Sequence, residues 1–235
     1  MKPVNFGNRS FAWLETKYGR LFSFEGQAHH EQYEILDYQG YIAWLLETGE
    51  YNLFIDVGSE IGLYSLVGAH YCKRVIAYEA SPFYYGILLF NMRHKFNVDC
   101  RYAWVGKIGQ IPKNRKEYIG TVTRKGTNVD FEYNIPIAEL DDEILPLAIL
   151  SKKTLIKMDI EGNELNALEK STELLKLSNV HWVIDFHYDI IAEDIMNFFK
   201  NRIVYKGNPV IAIKGEPDEE LDPIFDLKYW ELVKV

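Results

Sequence analysis

The chain contains 235 residues, of which 48% are hydrophobic and 26% charged, so it can form one large domain with a buried core and is too apolar for a disordered chain. Its formal net charge of -8 argues against non-specific binding to nucleic acid, because that binding depends on Lys and Arg side chains that release counterions from phosphates.

The N-terminus, "MKPVNFGNRS", lacks the apolar core of a signal peptide, and the apolar runs are far shorter than the roughly 20 residues that cross a bilayer. Cys72 and Cys100 have neither the spacing of metal ligands nor that of a disulfide framework. We therefore expect a cytoplasmic protein in a reducing compartment that does not bind membranes. The sequence leaves the oligomeric state open.

Residues 1–50 are predicted to be a lead-in that packs on a core domain at 51–235, the two together forming a single globular unit. In the lead-in, "GRLFSFEG" is typical of a short strand. The following stretch, "EQYEILDYQGYIAWLLETG", has the pattern of a helix that is closed by Gly49.

From residue 51 onward, strands and helices alternate. This order predicts an α/β fold with a mostly parallel, doubly wound sheet, and two late strands predict an antiparallel C-terminal edge pair. Ser81 and Pro82 suit the cap and first position of a helix. The predicted strands after the first one are RVIAYEA, VDCRYAW, DFEYNIPIAEL, KTLIKMDI, VHWVIDFH, PVIAIKG and YWELVKV; the predicted helices start at LYSLVGAHY, SPFYYGILLFNMRHKF, EGNELNALEKSTELLKL and DIIAEDIMNFFKNR.

The stretch "FIDVGSEIGLYSL" joins the first core strand to a helix through the pattern D-x-G-x-x-x-G, with Asp56, Gly58 and Gly62. A dinucleotide-binding loop has the pattern G-x-G-x-x-G, so this spacing disfavours a nicotinamide cofactor. A glycine at position 58 lets the backbone approach a ligand closely, whereas the acid at position 56 would repel a pyrophosphate and attract a cation.

Glu79 ends the next strand, where a carboxylate can accept hydrogen bonds from both hydroxyls of a ribose. A nucleoside that also carries positive charge matches this acid together with Asp56, and S-adenosylmethionine (SAM) is such a molecule. The structural alternative is that both acids only cap the turns that follow them.

A third group of charges lies in "LIKMDIEGNEL". Period-two alternation places Lys157, Asp159 and Glu161 on one side of a strand and its exit. An unpaired buried charge is costly, so we expect Lys157 to pair with an acid and the group to line a cleft. The alternative is a purely structural ion-pair network.

In "HWVIDFH" the same alternation places Asp185 and His187 together. If the two strands are neighbours, these residues lie close to Asp159 and Glu161. A histidine has an unperturbed pKa of about 6.5, which suits a general base, although strand-end histidines are more often structural. The carboxylates could hold a hard cation, but no spacing requires a metal, and none is predicted.

Taken in order, four stretches resemble the FkbM-type SAM-dependent methyltransferases: "FIDVGSEIGLYSL", "VIAYEASPFYYGILLFN", "LIKMDIEGNELNAL" and "VIDFH". They cover roughly residues 50 to 190, and the "KMDIEGNE" block is the stretch most specific to this family. The resemblance implies a Rossmann-like class I methyltransferase fold that binds SAM at the carboxyl edge of the sheet. It also implies O-methylation of a hydroxyl on a sugar or another small metabolite.

The resemblance implies one set of cofactor-binding residues, comprising the glycine loop, the ribose-binding acid with its neighbour, and two residues beside adenine. These residues are Asp56, Gly58, Ser59, Gly62, Glu79, Ala80, Ala103 and Trp104. A methyl transfer needs alignment of the acceptor and removal of its proton. We therefore expect Asp159, Glu161 and His187 to position or deprotonate a hydroxyl, with Lys157 orienting the carboxylates.

Two departures from the family pattern stand out. The loop commonly has the pattern D-V-G-A-N-x-G, where this chain has Ser59 and Glu60. The last strand often has Glu where this chain has Asp185, whose reach is shorter. The extra acid at position 60 changes the expected hydrogen bonding of the loop.

Other interpretations of the function are compatible with these motifs. A catalytically silent SAM-binding or adenosine-binding module, or an interaction protein on the same fold, would share these patterns. Residues 107–125 carry six cations and are either a solvated basic hairpin or a ribbon that covers an anionic acceptor.

Overall fold

The computed structural model describes residues 4–6, 9–24, 40–106, 135–185, 195–199, 202–206, 210–214 and 231–234. His187 and the basic segment at 107–125 lie outside these residues. The first part of the helix predicted at 31–49 lies outside them as well.

The lead-in forms an antiparallel sheet followed by a helix. Its elements are β1 (Val4–Phe6), β2 (Arg9–Thr16), β3 (Gly19–Phe24) and α1 (Gly40–Thr48). The strand β3 was predicted, whereas β1 and β2 were not. The hairpin β2–β3 buries Leu14 against Leu21 across the strand pair, and Phe11 stacks on Phe22 with ring centroids 5.0 Å apart.

The remaining elements are strands and helices that mostly alternate, as predicted. They are β4 (Leu53–Val57), α2 (Leu63–Tyr71), β5 (Arg74–Glu79), α3 (Pro82–Met92), β6 (Val98–Tyr102), β7 (Trp104–Val105), β8 (Ile137–Ala138), α4 (Leu140–Leu150), β9 (Thr154–Met158), α5 (Glu164–Leu168), a 3₁₀ turn at Leu174–Lys176, β10 (Val180–Asp185), β11 (Ile203–Lys206), β12 (Val210–Lys214) and β13 (Glu231–Lys234). Ser81 caps α3 and Pro82 opens it, which confirms that prediction.

Eight strands form the central sheet in the order β6-β5-β4-β9-β10-β12-β11-β13. The first five are parallel to one another, and β12 is antiparallel to both β10 and β11. The chain runs outward from β4 in one direction and from β9 in the other, so strand order reverses between these two central strands. This is the predicted doubly wound, Rossmann-like arrangement, and the reversal point is where such sheets bind ligands.

The predicted antiparallel C-terminal edge contains one strand more than the sequence indicated. The additional strand is β11, which lies between β12 and β13. Two helices also differ from expectation: α4 was not predicted, and the helix expected over 161–177 is divided into α5 and the 3₁₀ turn.

Hydrophobic clusters cover the two faces of the sheet. One contains Ile55 and Ile156 with apolar residues of α4 and α5, and the other contains Phe54 and Leu155 with apolar residues of α1, α2 and α3. Buried residues of the hairpin β2–β3 belong to the second cluster. The division into a lead-in at 1–50 and a core domain at 51–235 that form one globular unit stays a prediction.

Cys72 and Cys100 are free thiols. Over the ranges that the structure describes, no helix has the length and apolar character needed to cross a membrane.

Candidate cofactor and acceptor site

The candidate site lies at the carboxyl ends of β4, β5, β9 and β10, which are consecutive neighbours in the sheet. The register pairs Asp56 of β4 with Lys157 of β9, and Val183 of β10 with the same lysine. β9 and β10 are therefore neighbours, which meets the condition under which the sequence analysis placed Asp185 near Asp159 and Glu161. Their parallel direction brings both strand exits to one edge.

The glycine loop turns immediately after β4. Gly58 has a φ of +79°, and a Cβ atom added there would stand 1.8 Å from the carbonyl oxygen of Asp159. Only glycine fits because the loop passes directly against the backbone that leaves β9. The backbone N–H groups of Gly58 and Ser59 both donate to the carbonyl of Tyr78, each at 3.0 Å.

Glu79 fixes the other side of this loop. Its Oε2 accepts the backbone N–H of Glu60 at 2.8 Å, and its Oε1 accepts the backbone N–H of Ser81 at 2.6 Å. The side chain is buried, and burial raises the pKa of Glu79 to about 7, while the two backbone donors and the Lys157 ammonium oppose that rise. Glu79 thus changes its protonation state near neutral pH.

The backbone of Glu60 has an uncommon conformation for a glutamate. Glu60 has a φ of +47°, in the left-handed region, and its N–H points to the Glu79 carboxylate. An aspartate or asparagine adopts this conformation more readily than a glutamate does. The contact between the loop and Glu79 uses the backbone N–H of residue 60.

Asp56 is fully buried, with no exposed surface. Its Oδ2 accepts a hydrogen bond from the Ser65 hydroxyl at 2.6 Å, and its Oδ1 lies 3.6 Å from Nζ of Lys157. Burial raises the pKa of Asp56, and the ammonium of Lys157 and the Ser65 hydroxyl oppose this effect. The sequence analysis expected this acid to attract a cationic ligand, whereas the cation that it meets in the structure is the protein's own lysine.

Lys157 connects three groups of the site. Its Nζ donates to the carbonyl of Gly58 at 2.8 Å and lies 3.8 Å from Oδ2 of Asp159, in addition to its contact with Asp56. The Lys157 side chain is only 5% exposed, whereas the Asp159 side chain is 23% exposed. The expected pairing of Lys157 with acids is present, and Asp159 is the partner that faces solvent.

The turn after β9 is held by a residue that the sequence analysis did not single out. Glu161 and Gly162 both have positive φ, at 58° and 89°. The carboxylate of Glu164, which has no exposed surface, accepts the backbone N–H groups of Ile160 at 3.1 Å and Gly162 at 2.9 Å. The backbone N–H groups of a turn with two successive left-handed residues need an acceptor outside regular secondary structure. The acid in the first turn of the next helix was therefore the sequence signal that could have identified Glu164.

Ala103 and Trp104 follow β6 at the edge of the site. The backbone N–H of Ala103 donates to the carbonyl of Glu79 at 3.1 Å. Both side chains are buried, and within the described residues Nε1 of Trp104 has no hydrogen-bond partner. Asn163 ties this edge to the turn after β9, since its Nδ2 donates to the carbonyl of Val105 at 2.8 Å.

The structure therefore brings together most of the predicted residues. Asp185 is buried at the end of β10, and Ala80 directly follows Glu79 at the end of β5. The placement of His187 lies outside the described residues. Within the described ranges, no group of three or more metal-ligating side chains is close enough to hold a metal ion.

Comparison with protein families matches residues 56–203 to the family described as Methyltransferase FkbM domain. The match begins at the acid of the glycine loop and includes both strand exits of the site. No curated protein matches the chain.

Three solved structures illustrate what the chain is similar to. A methyltransferase FkbM from Methylobacillus flagellatus KT is 16% identical with a TM-score of 0.48, and the alignment covers 74% of this chain and 47% of that one. A precorrin-6y C5,15-methyltransferase from Geobacter metallireducens GS-15 is 16% identical with a TM-score of 0.45, covering 77% and 89%. The M. jannaschii tRNA m1G37 methyltransferase is 10% identical with a TM-score of 0.48, covering 92% and 60%. The chain thus spans about half of the length of the first of these proteins.

Proposed function

Because the chain belongs to the FkbM methyltransferase family, we propose that it uses SAM to methylate a hydroxyl of a small acceptor such as a saccharide. The observation that carries the SAM assignment is the buried Glu79 carboxylate beside the glycine loop. Each of its oxygens accepts one backbone N–H, and a carboxylate oxygen can accept a second donor. Two neighbouring ribose hydroxyls offer two such donors.

The chemistry of the donor set fits SAM in one further respect. The indole N–H of Trp104 is buried without a partner among the described residues, which suits the hydrogen-bonding edge of a base. Gly58 lets the loop lie directly against the backbone that leaves β9, which places the loop beside the proposed acceptor-side acid Asp159. The residues proposed to hold SAM are the glycine loop, Glu79 with Ala80, and Ala103 with Trp104.

When bound, SAM supplies a methyl group that is already activated by a sulfonium. The protein's task is then to align the acceptor and to take up its proton. Asp159 and Glu161 lie at the exit of β9, and Lys157 holds the Asp159 carboxylate at 3.8 Å. We assign the orientation of the acceptor hydroxyl to these two acids and its deprotonation to His187.

Asp56 acts in this proposal as a support for the loop. Its Oδ1 lies 3.6 Å from Nζ of Lys157 and holds that side chain in place, and Lys157 in turn binds the carbonyl of Gly58. The pair therefore fixes the glycine loop and the acceptor-side acid relative to one another.

Titration calorimetry with S-adenosylhomocysteine (SAH), and with NAD as the control ligand, tests the cofactor assignment. We expect SAH to bind and NAD not to bind, and preferential binding of NAD would overturn the proposal. The acceptor side is tested by SAH release from SAM in the presence of a panel of sugars and small hydroxylated metabolites. Binding of SAM without SAH release from any acceptor would favour the catalytically silent module.

The variant His187→Ala tests the proposed base. We expect its turnover to fall by about 100-fold, the lower range for general base catalysis, while SAH binding is retained. Unchanged turnover would remove His187 from the mechanism.

A further inference from the structure

Asn91 lies in the last turn of α3 and is buried. Its Nδ2 donates to the carbonyl of Ile61 at 2.7 Å and to the carbonyl of Phe22 at 3.1 Å, and its Oδ1 accepts the backbone N–H of Phe22 at 2.7 Å. The orientation of the amide follows from its partners, since two carbonyls require the donor end and an N–H requires the acceptor end.

These three hydrogen bonds join parts of the chain that are far apart in sequence. Phe22 belongs to β3 of the N-terminal hairpin, and Ile61 belongs to the glycine loop, one residue before Gly62. The side chain of Asn91 thus links the hairpin, α3 and the loop at one point. The hairpin also packs against the same side of the core, through Leu21.

The loop needs an anchor on this side. On the β5 side, Gly58 and Ser59 donate to the carbonyl of Tyr78, and Glu60 donates to Glu79; on the β9 side, Lys157 donates to the carbonyl of Gly58. Because Glu60 has a left-handed backbone, the loop stores strain that its contacts must offset. Asn91 supplies the contact at the opposite end of the loop.

The packing leaves little room for the loop to adjust if that contact is lost. A Cβ atom added at Gly62 would lie 2.7 Å from Leu88 and 3.0 Å from Met92, both in α3. The loop and the helix are therefore in direct contact on either side of Asn91. A carbonyl that loses its donor in this buried position cannot turn toward water without moving the loop.

We infer that Asn91 is a positioning residue, which fixes the glycine loop to the N-terminal hairpin and thereby sets the affinity for the cofactor. The inference rests on the proposed function, because it takes the glycine loop to be part of the SAM site. It extends that site to the lead-in, so the hairpin contributes to cofactor binding without touching the cofactor.

Asn97 provides a matched control for the test. Its Nδ2 also donates to two backbone carbonyls, those of Ala69 at 3.0 Å and Cys72 at 2.9 Å, at the end of α2 away from the loop. The isosteric variants Asn91→Asp and Asn97→Asp each lose two hydrogen bonds that the amide donates to backbone carbonyls. Both are expected to lower the melting temperature.

Only Asn91→Asp is expected to weaken SAH binding, by about tenfold in calorimetry at a temperature where both variants are folded. Equal SAH affinity of the wild type and Asn91→Asp would overturn the inference, as would equal losses in the two variants. If Asn91→Asp does not fold, Asn91→Ala is compared with Asn97→Ala by the same measurement. Failure of the wild type to bind SAH would instead overturn the proposed function.

Discussion

Asp56 and Lys157 stand opposite one another in the register of two adjacent parallel strands, with 3.6 Å between Oδ1 and Nζ. Both side chains are buried, and the lysine also binds the carbonyl of Gly58. The pair lies where the order of the strands reverses, so it joins the two halves of the sheet at the point where the site forms. Its loss would affect stability and site geometry together.

Lys157→Met should therefore lower the free energy of unfolding by about 3–5 kcal/mol, because it leaves the Asp56 carboxylate buried without its cation. The double variant Asp56→Asn with Lys157→Met should lose much less than the sum of the two single variants, since it removes both charges. Denaturant unfolding of the four proteins measures the coupling. Additive losses would contradict a direct interaction between the two residues.

The pKa of about 7 at Glu79 predicts that SAH affinity depends on pH. The carboxylate must be ionised to accept hydroxyl donors on both oxygens, and the ionised fraction rises about tenfold between pH 6 and pH 8. SAH should therefore bind about tenfold more tightly at pH 8 than at pH 6. Calorimetry across this range measures the effect, and Glu79→Gln should bind weakly with little pH dependence.

The same pKa predicts the opposite trend for the stability of the ligand-free protein. The folded state binds the Glu79 proton more tightly than the unfolded state, whose carboxyl titrates near its ordinary value of 4.5. The contribution of Glu79 to the free energy of unfolding should thus decrease as pH rises from about 4.5 to about 7. The difference between wild-type and Glu79→Gln unfolding curves isolates this contribution, and a rising difference over that range would contradict the raised pKa.

Gly58→Ala should destabilise the protein by more than about 2 kcal/mol and abolish SAH binding, because the new Cβ would overlap the Asp159 carbonyl and φ is +79°. Gly86 offers a contrasting control: it lies inside α3, and a Cβ atom there would meet nothing within 4 Å. Gly86→Ala should stabilise the protein by about 1 kcal/mol through helix propensity. Thermal unfolding and SAH calorimetry of both variants provide the comparison.

Glu164 allows the geometric role of the turn after β9 to be separated from its charge. Glu164→Gln keeps an oxygen that can accept from Ile160 and Gly162, so it should lose less than about 1 kcal/mol, whereas Glu164→Ala should lose about 2 kcal/mol or more. Turnover should follow the same order because the turn positions Asp159 and Glu161. Equal effects of the two variants would indicate that the charge, rather than the hydrogen bonds, matters.

Much of this site could be predicted because strands and loops leave local signals. Alternation identified the sides of β9 and β10, and the glycine spacing located the loop. The helix α4 was harder to recognise because Pro146 lies inside it, although three acids in its first turn favour a helix N-terminus. The strand β11 was missed because its four residues directly follow a segment with helical periodicity.

The partners of the predicted residues could not be identified from local patterns. Asp56 binds Ser65 and Lys157, and the second of these contacts depends on the register between strands that are about 100 positions apart in sequence. The same holds for Asn91, whose partners lie 30 and 69 positions away. Such contacts are fixed by tertiary packing, which composition and periodicity do not encode.

The backbone at Glu60 has a consequence for how this sequence can vary. The left-handed conformation costs most L-amino acids about 1–2 kcal/mol, less for asparagine and most for β-branched side chains, whereas glycine adopts it freely. The asparagine that the resemblance to FkbM-type loops leads one to expect at this position is thus favoured by the backbone conformation, whereas valine, isoleucine and threonine are disfavoured. Replacing Glu60 by asparagine or glycine offers an engineer a route to a more stable protein that leaves the Glu79 contact in place, because that contact uses only the main chain.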